Sequence, residues 1–382
     1  MTLLNHFLCR TKTAFGTQAL AHLPFDLSGM HAYKPFVITD QAARDAGLHL
    51  TLARACRDTH LALGLATLTD AEDFETLYHL FADKGYDSFI ALGTGQVVQT
   101  AKALNLALCH GPEKLRSPAG PGQINRPLLP LVYIPTHPET GQDTAGETFF
   151  SGRHFVSANL MPDIAVITAD TMLGTPGAAV LDSGLASLAT CCEAFAFSGN
   201  PFARSYAHAG ICLVMDTLLP LAQQSDHGDL LCQKAGKHRQ LPLAKLAHAA
   251  AVSGYIQSNL PDLKSRQAVA HLTAVHPAPS AAPSSGLCMA LALVHLLENS
   301  KDTCPWLGKL LLPLTDAAHY AGVPGPGQPD AAVRVIRKLL HALSETVPQG
   351  MPKTLGEAGL TPGQISEMST LLTYTQHKEP PW

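Results

Sequence analysis

The stretch from residue 87 to residue 105, DSFIALGTGQVVQTAKALN, constrains the fold more than any other part of the chain. An apolar run over residues 88–92 predicts a short strand, Gly93-Thr94-Gly95 interrupts it, and residues 96–105 repeat small and apolar side chains at helical spacing. A strand, a glycine turn and a helix in this order can cradle a pyrophosphate, because backbone N–H groups and the positive end of the helix dipole face the anion. An ordinary βα turn with two glycines has the same pattern, so this stretch alone leaves both interpretations open.

Strand and helix signals alternate over the first 172 residues and then give way to helical patterns alone. The strand signals lie at residues 34–40, 88–92, 128–135 and 164–168, with helical signals at 42–57, 74–81 and 96–105. The later helical patterns cover residues 182–197, 203–222, 243–259, 286–298, 331–345 and 362–374. This order predicts an α/β amino-terminal domain over residues 1–175, with a doubly wound parallel sheet, and an all-α domain over residues 176–382.

Composition limits the partners that such a chain can have. With 382 residues, of which 46% are hydrophobic and 15% charged, the chain can bury two cores of ordinary size. The net charge of -4 and the lack of a Lys/Arg cluster argue against nucleic acid and anionic membranes as partners. We find no apolar window approaching about 20 residues and no signal-like amino terminus, and the nine cysteines are scattered. The sequence therefore predicts a cytoplasmic protein with no membrane partner.

Polar side chains follow two of the predicted strands. Asp40 ends the strand over residues 34–40, where a carboxylate can accept hydrogen bonds from the ribose hydroxyls of a dinucleotide. A cap for the next helix is an equally good interpretation of Asp40. The run THPETGQD at residues 136–143 follows the strand over residues 128–135, at the carboxyl edge where open parallel sheets bind their ligands.

Laid end to end, these stretches resemble the iron-dependent (group III) alcohol dehydrogenase family, which includes glycerol dehydrogenase and maleylacetate reductase. Residues 93–102 are similar to the family motif GGGSxxDxAK, with Gln99 in place of the acid, and residues 134–143 correspond without a gap to IPTTAGTGSE. LMPDIAV at residues 160–166 and MPKTLGEAG at residues 351–359 resemble two further family segments. Order and spacing are kept from about residue 15 to about residue 374.

The resemblance implies a binding site for NAD in the first domain. Asp40 would hold the adenine ribose and favour NAD over NADP, because a carboxylate repels a 2′-phosphate. The remaining cofactor-binding positions belong to the glycine turn and to the run after the third predicted strand. They are Gly93, Thr94, Gly95, Gln96, Thr136, His137 and Thr140.

The second domain departs from the family at its metal ligands. The family holds a divalent metal with an aspartate, a histidine four residues later and two further histidines; here Ala186, Thr190 and Ser285 stand at three of those positions. Only His271 remains as a candidate ligand, with His276 close enough to make the register ambiguous. One ligand does not hold a metal, so we expect no tightly bound iron or zinc. A site rebuilt from His271, His276 and either His208 or His295 lacks close spacing, and structural roles for these histidines are the simpler interpretation.

Two functions are compatible with this pattern. In the first, the protein transfers a hydride between NAD and a small alcohol or carbonyl substrate, with His271 as general acid and Thr190 and Ser285 as hydrogen-bond donors in place of the metal. In the second, it is a catalytically silent relative that keeps the fold for nucleotide binding or assembly. A predicted edge strand near Thr13 favours a homodimer.

Overall fold

The computed structural model describes residues 6–57, 59–68, 73–116, 124–172, 177–223, 240–275, 284–347 and 350–372. Packing divides the chain into two compact units. The α/β unit comprises Cys9–Thr175 and Cys232–Ser258, and the helical unit comprises Met1–Leu8, Pro176–Leu231 and Asn259–Trp382. The predicted domain ranges, 1–175 and 176–382, differ from these units chiefly in where they place residues 232–258.

Six parallel strands form the sheet of the α/β unit. In chain order, the strands of this sheet and of a smaller second sheet are β1 (Lys12–Phe15), β2 (Pro35–Asp40), β3 (Gly64–Leu68), β4 (Ser88–Gly93), β5 (Leu131–Pro135), β6 (Glu147–Phe150), β7 (Arg153–Val156) and β8 (Ile164–Ile167). The sheet order is β1-β8-β5-β4-β2-β3, and every neighbouring pair is parallel. Strands β6 and β7 form a separate antiparallel pair.

Helices precede, separate and follow these strands. They are α1 (Ala19–Gly29), α2 (Gln41–Asp45), α3 (Leu48–Ala55), α4 (Asp73–Lys84), α5 (Gly95–His110), α6 (Gly177–Phe197), α7 (Pro201–Gln223), α8 (Gln240–Asn259), α9 (Lys264–Val275), α10 (Ser285–Asn299), α11 (Leu311–Leu314), α12 (Ala317–Gly322), α13 (Gln328–Thr346) and α14 (Pro362–Leu371). The sheet followed by a mostly helical region confirms the predicted fold class.

Both faces of the sheet are buried, which explains why its strands are apolar throughout. Val37 and Ile90 lie in the cluster on one face, together with Leu23 and Leu27 of α1. Phe89 lies in the cluster on the opposite face with residues of α4 and α5. Successive side chains of a strand point to opposite faces, so a strand covered on both sides reads as a continuous apolar run.

Two local features differ from the sequence prediction. The single helix predicted over residues 42–57 is divided into α2 and α3, because Gly47 between them adopts a left-handed conformation with φ of 71°. Strand β3 and the β6–β7 pair were not predicted. These strands have only four or five residues and are partly exposed, so they lack the apolar run that marks β4.

Two helices of the helical unit are long and apolar, contrary to the expectation that the chain has no such window. By length and composition alone, α6 and α7 are apolar enough to cross a bilayer, although we expected no such window. Only Asp182 and Glu193 interrupt the small and apolar residues of α6. Because 83% of the apolar window of α6 is buried inside the protein, α6 also meets the description of a core helix.

Candidate functional site

The glycine turn between β4 and α5 has the strand–turn–helix geometry that the sequence predicts. Gly93 has φ of +153°, and a Cβ at this position would come within 2.5 Å of Oδ2 of Asp40 and 2.8 Å of Cγ2 of Val97. The turn therefore requires glycine there. Thr94 is the residue before the first turn of α5, and its side chain makes no capping hydrogen bond. Gln96, in that first turn, is exposed.

Asp40 links the end of β2 to this turn. Its Oδ1 accepts a hydrogen bond from the amide of Ala43 over 2.8 Å and so caps α2. Its Oδ2 accepts a hydrogen bond from the amide of Thr94 over 2.9 Å. The structure thus shows the capping role that the sequence left open, whereas the ribose contact remains a prediction.

The residues after β5 converge on the same turn. The amide of Thr136 and the hydroxyl of Tyr133 both donate to the carbonyl oxygen of Gly93, over 3.2 Å each. His137 lies next to Thr136 and forms an ion pair with Glu139, with 2.8 Å between Nε2 and Oε1. The predicted cofactor positions Gly93, Thr94 and Thr136 are therefore brought together, at the carboxyl edges of β4 and β5.

Glu139 is the residue at this turn that the sequence prediction missed. Its Oε1 accepts a hydrogen bond from the amide of Gly95, the first residue of α5, over 2.6 Å. Burial lowers the pKa of His137, but the hydrogen bond to Glu139 and the nearby carboxylates of Asp40 and Asp143 raise it overall. The gapless correspondence with IPTTAGTGSE offered a signal, since it places Glu139 at a glycine of the family motif.

Helix α8 holds the loop that follows Glu139. Nε2 of Gln257 donates to the carbonyl oxygen of Thr140 over 3.1 Å, and Oγ1 of Thr144 donates to the carbonyl oxygen of Ala251 over 2.5 Å. Gly141 has φ of +99°, and a Cβ there would come within 2.9 Å of Cα of Gly254. Two glycines thus allow the backbone of the loop to lie directly on the helix.

Lys102 fastens the other side of this loop to α5. Its ammonium group is fully buried and donates to three carbonyl oxygens, those of Gln142 (3.3 Å), Ala145 (2.7 Å) and Glu147 (3.1 Å). Burial lowers the pKa of Lys102 to about 8, although the carboxylates of Glu147 and Asp143 oppose the shift. The lysine of the GGGSxxDxAK-like motif therefore acts as a clamp, because its hydrogen bonds hold the loop against α5 within the α/β unit.

Asp143 is buried in the same loop without a hydrogen-bond partner on another residue. Neither carboxylate oxygen has such a partner among the described residues, and the side chain is fully buried. Burial and the charge of Glu139 raise its pKa to about 7, while its own backbone amide, Lys102 and His137 act in the opposite direction. A carboxyl group in this environment favours its protonated form.

The predicted catalytic positions lie in the helical unit. Thr190 lies in α6, one turn after Ala186, and its hydroxyl is buried without a hydrogen-bond partner among the described residues. Ser285 is the exposed first residue of α10, which packs against α6. His271 lies in α9, but its side chain is outside the described residues, and His276 is outside them altogether. The structure therefore places Thr190 and Ser285 on two packed helices and leaves His271 untested.

The donor set at these positions does not fit a divalent metal. Ala186 offers no ligand atom, and the neutral hydroxyls of Thr190 and Ser285 are poor ligands for iron or zinc. Among the described residues, no group of three or more His, Cys, Asp or Glu side chains is arranged to hold a metal ion. His208 contacts Cys212 (3.8 Å from Nδ1 to Sγ), and His295 contacts Ser369 and Asn299. His208 also lies near the ring of Phe195, with 6.3 Å between the ring centroids.

A separate cavity of about 480 Å³ lies in the helical unit, lined in part by Glu193, Asn200, Asn259 and Asp262. The Glu193 carboxylate is buried and accepts hydrogen bonds from the amides of Lys264 and Ser265 and from the hydroxyl of Ser265. It thereby stabilises the amino terminus of α9, whose free N–H groups it satisfies.

Together, the parallel sheet and the helical region define the class of protein: an α/β fold with a six-stranded parallel sheet, followed by a mostly helical region. Residues 10–169 match the family model described as "Iron-containing alcohol dehydrogenase". Over these residues the chain is similar to that family.

Individual relatives agree with the family match. "Probable alcohol dehydrogenase EutG" from Escherichia coli (strain K12) is 30% identical over 194 residues, which cover 48% of this chain and 49% of that protein. The chain thus spans about half the length of that relative. "Alcohol dehydrogenase 4" from Saccharomyces cerevisiae (strain ATCC 204508 / S288c) is 25% identical over 91% of this chain and 86% of its own length.

The fold extends over nearly the whole chain. The crystal structure of sulfoacetaldehyde reductase from Bifidobacterium kashiwanohense in complex with NAD⁺ superposes with a TM-score of 0.73 at 18% identity, covering 97% of this chain and 93% of that chain. At this identity the similarity shows the fold alone.

Proposed function

We propose that the protein is an NAD-dependent oxidoreductase that transfers a hydride between the nicotinamide and a small alcohol or carbonyl substrate. One observation carries the proposal: the glycine turn at the start of α5 lies beside Asp40, at the carboxyl edge of a parallel sheet. This is where open α/β sheets bind dinucleotides. Relatives named as alcohol dehydrogenases, and a structural neighbour solved with NAD⁺, support the same assignment.

The residues of the turn fit a dinucleotide in part. Gly93 and Gly95 have no Cβ to keep a phosphate from the backbone, although the carboxylates of Asp40 and Glu139 lie over them. The carboxylate of Asp40 suits a ribose with a free 2′-hydroxyl. The amide of Gly95 is, however, already bonded to Glu139. Because the carboxylate of Asp40 would repel a 2′-phosphate, NAD rather than NADP is the proposed cofactor. Thr136, His137 and Thr140 line its proposed path.

Hydride transfer needs a group that polarises the substrate oxygen. In carbonyl reduction, bound NADH would donate the hydride and the chain would supply the acid that protonates the carbonyl oxygen; in alcohol oxidation, NAD⁺ would accept the hydride and the same group would take up the hydroxyl proton. In the absence of a fitting metal donor set, we assign that role to His271 as general acid, with the hydroxyls of Thr190 and Ser285 as hydrogen-bond donors. The buried hydroxyl of Thr190 has no hydrogen-bond partner in the part of the chain that the structure describes, and such a bond would satisfy it.

Calorimetry with NAD and NADH, followed by turnover assays with a panel of alcohols, aldehydes and keto acids, tests the proposal. We expect binding of both nucleotides and turnover that added Fe, Zn or Mn does not increase. Binding without turnover on any substrate, with or without metal, would contradict the assignment as an oxidoreductase.

A catalytically silent relative that binds nucleotide or serves in assembly is the second candidate. The observation that favours it is Glu139, whose carboxylate accepts the hydrogen bond of the Gly95 amide, in addition to the residues at the metal positions.

For either function we propose a cytoplasmic homodimer, paired through β1, which is an edge strand of the sheet. Sedimentation analysis tests the oligomeric state.

A further inference from the structure

The carboxylate of Glu139 lies over the amino terminus of α5. Its Oε1 accepts a hydrogen bond from the amide of Gly95 over 2.6 Å, and a Cβ at Gly95 would come within 2.7 Å of its Oε2. The negative charge therefore lies directly above the bare backbone at the positive end of a 16-residue helix.

This position is the one that a phosphate would use. A pyrophosphate at a helix amino terminus accepts hydrogen bonds from the first amides of the helix. Here the amide of Gly95 is bonded to Glu139, and the amide of Thr94 is bonded to Asp40. Two like charges cannot share the same N–H group in a partly buried turn, so phosphate and carboxylate exclude each other there.

His137 holds the carboxylate in this position. Its Nε2 is 2.8 Å from the same Oε1 that accepts from Gly95. The backbone next to Glu139 is fixed as well, because Gln257 donates to the carbonyl of Thr140 and Gly141 lies against Gly254. Movement of the loop backbone would break these contacts. Rotation about the side-chain bonds of Glu139 breaks the contacts of its carboxylate with Gly95 and His137 and leaves these backbone contacts in place.

We infer that the Glu139 carboxylate is an internal competitor for the diphosphate of a dinucleotide at the start of α5, and that this residue sets the affinity of the turn for nucleotide. Binding of the diphosphate displaces the side chain from Gly95. This inference rests on the proposed NAD site, and it assigns to Glu139 a role that is opposite to that of a cofactor ligand.

The variant Glu139→Gln tests the competition, because it removes the charge and keeps the size of the side chain. Calorimetry is performed on the full chain with ADP, NADH and adenosine, and Glu75→Gln, an exposed position on α4 in the same unit, serves as the matched control. We expect ADP and NADH to bind Glu139→Gln about tenfold or more tightly than wild type. Adenosine, which has no phosphate, should bind both proteins equally. Glu139→Gly, which restores the motif glycine, should behave in the same way as Glu139→Gln.

The outcomes separate this inference from the proposed function. Tighter ADP binding by Glu139→Gln supports the competition even if no substrate is turned over. If wild type and Glu139→Gln bind ADP with the same affinity and NADH with the same affinity, and the wild type turns over substrate, the inference is overturned and the oxidoreductase assignment stays in place. A gain for adenosine equal to that for ADP would also overturn it, because the effect would then not involve the phosphates. If neither protein binds ADP or NADH, the inference and the dinucleotide site are both wrong.

Discussion

The ammonium of Lys102 donates to the carbonyl oxygen of Ala145 over 2.7 Å, from a side chain with no exposed surface. Replacement of this lysine by methionine keeps its length but leaves three carbonyl oxygens without their donor. We expect Lys102→Met to lower the free energy of unfolding by about 2–5 kcal/mol, as loss of a buried polar network does. Urea denaturation measures the effect, and Lys245→Met, at an exposed position on α8, should change stability by less than about 0.5 kcal/mol. Similar stabilities for the two variants would contradict the clamp.

The contact between α8 and the loop gives a second prediction. A Cβ at Gly254 would overlap the carbonyl oxygen of Gly141 and the hydroxyl of Thr144. Gly254→Ala should therefore push the loop off the helix, destabilise the protein by about 1–3 kcal/mol and weaken NADH binding. Gly29→Ala is the control, since nothing lies within 4 Å of a Cβ there. Unchanged NADH affinity in Gly254→Ala would show that the loop position does not matter for the nucleotide.

Asp143 should make stability depend on pH. Its pKa in the folded protein is about 7, above the ordinary value of 3.8, so the folded state binds this proton more tightly than the unfolded chain does. The resulting stability is complete below about pH 4 and is lost as the pH rises to about 7, with a slope of at most about 1.4 kcal/mol per pH unit. Asp143→Asn should flatten the dependence over this range in urea denaturation. The exposed Asp83→Asn should keep it, and an identical pH profile for wild type and Asp143→Asn would disprove the assignment.

Glu193 should stabilise the helical unit through its hydrogen bonds to the start of α9. Its buried carboxylate accepts from the amide and the hydroxyl of Ser265 over 3.0 and 2.5 Å. Glu193→Ala removes the acceptor and should cost about 2–4 kcal/mol of stability, with loss of helical circular dichroism from α9 at lower urea than in wild type. Glu345→Ala, which removes an exposed ion pair with His341, should cost less than about 1 kcal/mol. Equal losses would contradict the capping role of Glu193.

Metal content tests the predicted loss of the family metal. Because Ala186, Thr190 and Ser285 offer no adequate ligand set, elemental analysis of protein purified without added metal should find far less than one equivalent of iron or zinc. Treatment with a chelator should leave nucleotide binding unchanged. Stoichiometric iron or zinc would show that other residues have rebuilt the site.

The elements that the sequence predicted best are those with a strong local signal. The apolar run of β4 and the glycines after it were sufficient to place a strand, a turn and a helix, because a doubly covered strand and a bare turn impose their residue types directly. The parallel sheet followed from the alternation of strand and helix signals. Strand β3 and the β6–β7 pair gave no comparable signal, since short, partly exposed strands tolerate many residue types.

The sequence by itself determined the fold class and the glycine turn, because each of these depends on side-chain identity at a fixed place along the chain. Only the tertiary structure decided what the carboxylates around the turn contact. Asp40 could equally have been a cap or a ribose ligand, and it caps α2 and the turn. Glu139 reaches the start of α5 across 44 residues, and α8 joins the α/β unit from more than 100 residues away along the chain. Such contacts leave no periodicity in the sequence, because they depend on which elements pack together rather than on which residues are neighbours in the chain.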